Sequence, residues 1–463
     1  MRPRLVRGGA RSAVALVAIS VAANVVLGAA TSASANGAFE TYGPSVRARA
    51  MGNAMSAIED SAAAHTNPAA VGRAPGELLF HAAFSLDTPV VDVALEEAQE
   101  QDDPLTPALP NPVAGITLGF LIPLDLVFED RIFVGGTAYF PTQVLVRARA
   151  HDPQRPFFYA YDSGTDHYDM SLAIGARVFD WLFLGGGVRL SAGQQGDVLL
   201  AVDPVRGRMT QQSVDTFQYP KASPTAGLLI GPLGVEDVVT GSLGVVYREP
   251  AVFDISLPAS LTIEGADVNA VLDVLVRANF SPRTVTAGAS FEILRDVIVD
   301  VEAQYAFWSE APPPFVITGV DLGGEGLEAL GLEDGLDAPA AGQDRVGPPG
   351  FVDTVNVRAG VEWHLLKDVL AARAGYQYRP SPVPDQTSGT NIIDCTTHVV
   401  GAGFGLTFVF PLALARPVTI DAAYQAQILQ PRTATKPNPN DDVGAWTAQG
   451  IVHALALGWT YQF

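Results

Sequence analysis

The sequence predicts an all-β transmembrane fold, an antiparallel barrel of the outer-membrane kind, on three observations. The last residues alternate rings with small or polar side chains. The one long uncharged apolar run sits at the N-terminus behind a basic leader. Short charged turns alternate along the chain with long acidic connections.

Arg2, Arg4, Arg7 and Arg11 form a basic leader, Ala13 to Ala30 is uncharged and apolar, and Ala33-Ser34-Ala35 supplies a small-residue cleavage site. That order is a secretory signal peptide, residues 1–35, with maturation at Asn36. The run is long enough for a permanent anchor, but the cleavage site and the lack of a flanking stop-transfer charge cluster favour removal. No later window holds an uncharged apolar stretch of spanning length. A chain that then enters a membrane does so as strands, because only helices and closed barrels satisfy their backbone in lipid.

Four segments place a short charged turn between apolar runs. They are Phe128 to Phe133 around Asp130, Val178 to Phe183 around Asp180, Ile293 to Ile298 around Asp296, and Leu365 to Leu370 around Asp368. Aspartate suits tight turns because its carboxylate bonds nearby main chain. After Asp296, the residues Val297, Val299, Val301, Ala303 and Tyr305 share one face. Ile298, Asp300, Glu302, Gln304 and Ala306 share the other, which is mostly polar. After Asp368, Arg373 and Gln377 share one parity. Apolar-out, polar-in strands joined by short turns at one end are barrel chemistry.

Trp459, Tyr461 and Phe463 fall on one face of an extended terminal strand. This ending resembles the signal by which the barrel-assembly machinery recognises outer-membrane proteins; Ala456 departs from it, standing where a polar residue is usual. Counted backward from Phe463, strands fall at about 449–463, 415–430 and 396–410, with a short turn at Pro411 to Ala415. Connections 431–447, 380–394 and 310–351 are long and share one side, and the turns at Lys367-Asp368 and Arg295-Asp296 share the other. Bacterial barrels sort loop lengths this way, short inside and long outside. The outer loop 321–350 carries Asp321, Glu325, Glu328, Glu333, Asp334, Asp337 and Asp344 against Arg345, and loop 94–112 is similarly acidic.

Composition narrows the functions. With 28 basic and 49 acidic residues the formal charge is −21, and losing the arginine-bearing leader makes it more negative. Lysine occurs only at Lys221, Lys367 and Lys436, so nucleic acid, which needs clustered cations, is disfavoured. Cys395 is the only cysteine, which excludes an intramolecular disulfide framework and a C-x-x-C site. No Gly-x-Ser-x-Gly elbow accompanies the seven histidines, so nothing local argues for a barrel lipase. His65 has no spaced partner ligand for a metal.

Residues 43–75 are unlike a strand: they are rich in small residues and end in an Asn-Pro turn. Ala50-Met51-Gly52-Asn53-Ala54, the acidic pair Glu59-Asp60, and Asn67-Pro68-Ala69 directly before a strand at about Glu77 to Asp87 resemble the N-terminal hatch of the FadL family of outer-membrane hydrophobic-compound channels. Ala303 to Ser309 looks like that family's Tyr-x-x-Trp-Ser strand end, and Val355 to Trp363 like its next strand. Arg373 to Asp385 matches a family strand running into a Ser-Pro-Val-Pro loop. The resemblance covers the hatch and about the last third of the chain; 88–290 matches mainly in strand rhythm.

The resemblance implies a monomeric barrel of about 14 strands over 77–463, with residues 36–76 as a hatch that plugs the lumen, and no cofactor or metal. Hydrophobic molecules would be caught at an outer groove, held inside, and released when the hatch rearranges. Long-chain fatty acids lead as cargo, with aromatic or alkane hydrocarbons as the alternative. The hatch argues against an open porin, and an adhesin or structural barrel would bind no such ligand. Among hatch residues, Met51, Gly52, Asn67, Pro68 and Ala69 are the candidates for ligand contact or gating. Gly135 and Gly136, in a third strand at about 130–149, are candidates for a kink that opens the wall sideways, helped by Pro141, which removes a ladder donor. Ser381, Pro382, Val383 and Pro384 form a rigid loop support. A fatty carboxylate would pair with Arg147, Arg149 or Arg155 near an outer loop. Acidic loops beside lipopolysaccharide are candidates for holding divalent cations.

Overall fold

Tight turns at one end and longer connections at the other bring each strand back beside its predecessor, and the last strand returns to the first. The computed structural model describes residues 37–74, 76–95, 109–124, 130–142, 157–161, 167–203, 208–263, 268–312, 315–323, 350–367, 369–385, 391–409, 416–435 and 444–463. Within 192–203, 208–216, 253–263, 268–279 and 315–323 it describes the backbone only. The signal-peptide assignment lies outside these residues.

Fourteen strands close an antiparallel barrel. In chain order they are β1 (Leu79–Leu95), β2 (Val113–Pro123), β3 (Ile132–Pro141), β4 (Asp169–Phe179), β5 (Leu182–Asp203), β6 (Arg208–Val235) and β7 (Val239–Arg248). The second half is β8 (Thr284–Ile293), β9 (Val297–Ala306), β10 (Thr354–Leu366), β11 (Leu370–Arg379), β12 (Thr397–Val409), β13 (Pro417–Ala434) and β14 (Trp446–Gln462). Closure is made by β14 on β1, in register from Leu79 opposite Gln462 to Leu95 opposite Trp446. Phe463 adds one more bond, its N–H donating to the Leu78 carbonyl at 2.8 Å. The wall has no edge strand, which is what lipid requires.

Side-chain parity follows the sequence. On β9, Asp300, Glu302, Gln304 and Ala306 are buried inward, while Val301, Ala303 and Tyr305 are exposed. Leu455, Leu457, Phe404 and Trp363 are likewise exposed on the outside. At the short-turn end, rings pair as Phe80 with Trp459 at 5.5 Å and Tyr461 with Phe463 at 4.7 Å. Such an aromatic girdle marks the membrane interface.

The turns hold one correction of detail. Between β8 and β9, Leu294 and Arg295 rather than Asp296 take positive φ, at 54° and 61°. A fifth turn of the same chemistry joins β6 to β7, with Asp237 at φ 67°. Arg295 pairs with Asp237 at 2.7 Å and with Glu236, tying these neighbouring turns together.

In the middle of the chain, β7 pairs directly with β8, from Arg248 opposite Thr284. The residues between them therefore leave the wall as an outer hairpin, Ala251–Ile263 with Val268–Ser281. That hairpin lies parallel to the long upper part of β5 and antiparallel to a strand at Phe315–Gly323. The 310–351 connection thus contains a strand where a loop was expected. Over the barrel mouth, Phe157–Phe158 pairs in parallel with Ile392–Ile393.

Residues 37–74 lie inside the barrel. They form α1 (Ala38–Thr41), α2 (Val46–Ala50), α3 (Ala63–Thr66) and a 3-10 turn at Pro68–Arg73. Glycines and the Asn67-Pro68 break keep each helix short, and small side chains let the segment lie close to the wall. Ser45 caps α2, its Oγ accepting the Ala48 N–H at 3.0 Å. Asn67 caps the 3-10 turn, its Oδ1 accepting the Ala69 N–H at 3.0 Å.

Ion pairs tie the segment to strands far away in sequence. Arg47 meets Glu362 with two bonds of 2.8 Å, and Arg49 meets Asp87 at 2.7 Å. Arg189 bridges Asp169, at 2.6 Å, and Glu40. Glu302 accepts the N–H groups of Met55 and Ser56 at 3.2 and 2.9 Å. The Arg49 and Asp87 side chains are 4% and 0% exposed. Removing one partner of such a pair strands the other charge, at a cost of about 3–5 kcal/mol. Arg49→Ala is therefore expected to lose about that much stability in denaturant titration of the detergent-solubilised barrel, and an unchanged midpoint would contradict the assignment of this pair.

Candidate functional site: a roofed cavity in the lumen

The seating of the luminal segment explains why so many inward strand positions are glycine. A Cβ on Gly375 would lie 2.0 Å from the Met51 carbonyl carbon, one on Gly244 would lie 1.9 Å from the Ser56 oxygen, and one on Gly185 would lie 2.1 Å from the Pro68 carbonyl carbon. Gly401 and Gly227 make the same room for Arg49 main chain and the Asn67 side chain. At Gly375, Gly244, Gly185 and Gly401 backbone meets backbone with no wall side chain between.

Above the segment remains a cavity of about 170 Å³. Its floor is Phe39, Glu40, Met55, Ser56, His65 and Thr66, and its wall includes Arg189, Arg248, Thr286, Glu302, Arg358 and Arg379. Tyr159, Phe280, Trp308 and Pro382 lie across the top. Small-molecule sites commonly enclose roughly 300–1,000 Å³, so a long acyl chain fits only after something moves.

The cavity arginines are not equivalent. Arg189 and Arg358 are matched by carboxylates. Arg248 donates only to the main-chain oxygens of His65 and Thr66, at 2.5 and 2.7 Å. Among the described residues no carboxylate lies within ion-pair distance of it. Arg379 bonds the Tyr161 hydroxyl at 2.6 Å and Gln427 at 3.2 Å, again without a carboxylate. His65 packs against Phe39 with the rings tilted and their centroids 4.7 Å apart, and meets the Ser171 hydroxyl at 3.0 Å. Burial, then the cations of Arg248, Arg189 and Arg358, hold its pKa well below the ordinary histidine value. It is a neutral packing ring.

The candidates from the sequence fall in three places. Met51, Gly52, Asn67, Pro68 and Ala69 contact the wall rather than the cavity. Gly52 (φ 63°) lies against the Tyr376 backbone, and the Asn67 amide donates to the Ser56 and Leu228 carbonyls at 2.6 and 3.3 Å. Gly135 and Gly136 sit in ladders that run without a register shift on both sides of β3. Gly135 gives room to Val71 and Leu121, and Gly136 to Phe120 on the outside. Pro141 lies two residues past Tyr139 opposite Asp169, where pairing with β4 stops. Ser381, Pro382, Val383 and Pro384 gather at the top of the cavity: Val383 is buried with Phe280 and Phe351, and the Pro382 carbonyl accepts the Val352 N–H at 2.9 Å. Arg147, Arg149 and Arg155 lie outside the described residues. Arg248, Tyr159 and Phe280 were missed because no local pattern distinguishes them from other residues, while Trp308 lay in the Tyr-x-x-Trp-Ser strand end without being marked as a site residue.

No family model matches the chain. Among solved structures, a FadL homologue of Pseudomonas aeruginosa superposes over 94% of this chain and 99% of its own, with TM-score 0.57 and 15% identity. This is the FadL fold. The toluene transporter TodX of P. putida shares it over 90% of this chain and 98% of its own, with TM-score 0.53 and 13% identity. By sequence, alkane uptake protein A of Marinobacter nauticus is 35% identical over 115 residues, which is 25% of this chain and 25% of that protein. The FadL resemblance read from the hatch and the late strands therefore holds at the level of fold.

The glycine seats give a direct test within this FadL fold. Gly375→Ala is expected to unseat residues 51–52 and raise single-channel conductance in planar bilayers. Gly186→Ala, where a Cβ meets nothing within 4 Å, is expected to leave conductance unchanged. Equal conductance in both variants would show that the seat does not hold the segment.

Proposed function

We propose that the protein is a monomeric outer-membrane channel for facilitated uptake of hydrophobic compounds, with long-chain fatty acids as the leading cargo. The observation that carries the cargo is Arg248, a luminal cation lining a partly apolar cavity with no carboxylate within ion-pair distance among the described residues. A fatty carboxylate supplies the missing partner through charge-assisted bonds, while Phe39, Met55, Phe280 and Trp308 offer apolar contact to the chain. Hydrocarbons are the second reading, favoured by the alkane-uptake relative and by the toluene transporters that share the fold. No enzymatic step belongs to either reading.

In this scheme residues 36–76 act as the hatch. The His65 and Thr66 carbonyls now occupy Arg248, so an incoming carboxylate competes with the hatch for it, and loading loosens the hatch. Sideways exit asks the β3 wall to part. The fewest ladder bonds oppose that near Pro141, whereas Gly135 and Gly136 lie deeper within continuous pairing. Export with cleavage before Asn36, recognition of Phe463 by the assembly machinery, and acidic loops beside lipopolysaccharide complete the reading.

Uptake of labelled oleate and toluene, compared in cells with and without the protein, tests it. Oleate uptake is expected to depend on the protein and to fall roughly tenfold or more in Arg248→Gln, in line with a charged hydrogen bond of about 1.5–3 kcal/mol. Toluene uptake should not respond to that substitution. Dependence for toluene alone would favour the hydrocarbon reading, and dependence for neither would reject transport.

A further inference from the structure

Two sequence motifs that look unrelated meet at the top of the cavity. The Tyr305-x-x-Trp308-Ser309 strand end delivers the indole, and the Ser381-Pro382-Val383-Pro384 loop supplies the seat behind it. Four rings interlock there edge to face: Tyr159 with Trp308 at 5.9 Å, Tyr159 with Phe351 at 5.2 Å, Trp308 with Phe351 at 5.9 Å, and Phe280 with Trp308 at 6.0 Å. Three of the four are anchored through main chain. Tyr159 pairs its N–H with the Ile393 carbonyl at 2.9 Å, and its hydroxyl donates to the Phe280 carbonyl at 3.1 Å. Phe351 adjoins Val352, which is bonded to the proline-rich loop.

Trp308 is held differently. It opens a three-residue 3-10 turn, Trp308–Glu310, whose own main-chain bonds stay local, while the preceding Phe307 N–H donates to the Arg283 carbonyl at 3.0 Å and forms the fixed end. The tie across to the next strand is a side chain: Asp353 accepts the Ser309 N–H and the Tyr305 hydroxyl, each at 2.9 Å. The Ser309 N–H and hydroxyl, and after them the Tyr305 hydroxyl, keep that carboxyl below the usual carboxylate range. It is charged at neutral pH and accepts both bonds. A further ion pair, Arg283 with Glu310 at 3.4 Å, is more than one-third exposed on both sides, where such pairs contribute little.

The geometry points to Trp308 as the movable leaf that closes the cavity toward the outside, with Asp353 as its latch. An apolar molecule enters by taking the place of the indole among Tyr159, Phe280 and Phe351, so the girth of the leaf sets which molecules pass. Swinging the Trp308–Glu310 turn outward releases the Ser309 N–H from the Asp353 carboxylate, whereas displacing the backbone of Tyr159 or Phe280 breaks main-chain pairing. This inference rests on the uptake reading for its purpose, but the opening itself is measurable without transport.

A cysteine in the cavity wall reports it. Thr286, 2% exposed and lining the cavity, is replaced by Thr286→Cys in a Cys395→Ser background, and maleimide labelling of the folded detergent-solubilised barrel is timed. Asp353→Ala is expected to speed labelling roughly 2- to 10-fold, the population shift that follows loss of ordinary hydrogen bonds. Trp308→Ala is expected to speed it further, and Trp308→Phe, which keeps a ring, to fall between. Unchanged or slower labelling in both Asp353→Ala and Trp308→Ala overturns the leaf. Faster labelling in a protein that supports uptake of neither oleate nor toluene leaves the leaf standing and removes only the uptake reading.

Discussion

Everything else in this molecule depends on the ladder between the first and last strands. Leu79–Leu95 against Trp446–Gln462 turns a sheet with two exposed edges into a cylinder with none, and a lipid environment accepts no other arrangement of strands. Closure also creates an interior. The polar parity of β9, with Asp300, Glu302 and Gln304 on one face, has a purpose only because that face looks into a lumen rather than into lipid.

The lumen is then filled by residues 37–74 through two complementary devices. Glycines such as Gly375, Gly244 and Gly185 remove side chains where main chain must pass main chain. Arg47 and Arg49 of the segment reach carboxylates on strands tens to hundreds of residues away, and Arg189 of the wall reaches back to Glu40 of the segment. Shape sets the position and charge sets the register, because a displaced segment would leave buried ions unpaired. Arg248, which bonds carbonyls of the segment and has no carboxylate, is the weak link in that lock.

The cavity lies between this packed floor and a roof of rings. The floor is seated by backbone contacts and buried ions, while the turn that carries Trp308 is tied to the next strand through the Asp353 carboxylate.

Local chemistry written two residues apart was enough to predict a barrel and the polar parity of β9 and β11, while the segment before the first strand was expected in the lumen from its resemblance to a hatch. The terminal rings at Trp459, Tyr461 and Phe463 and the tight charged turns are signals of this kind, because strand alternation and turn preference act over a few residues. The meeting of Trp308 with Tyr159, Phe280 and Phe351, the unmatched state of Arg248, and the outer hairpin at 251–281 are not written locally. They arise from strand register and barrel closure, which bring together side chains separated by tens to hundreds of residues. A guanidinium that is paired in one register is bare in another, and no short stretch of sequence records which.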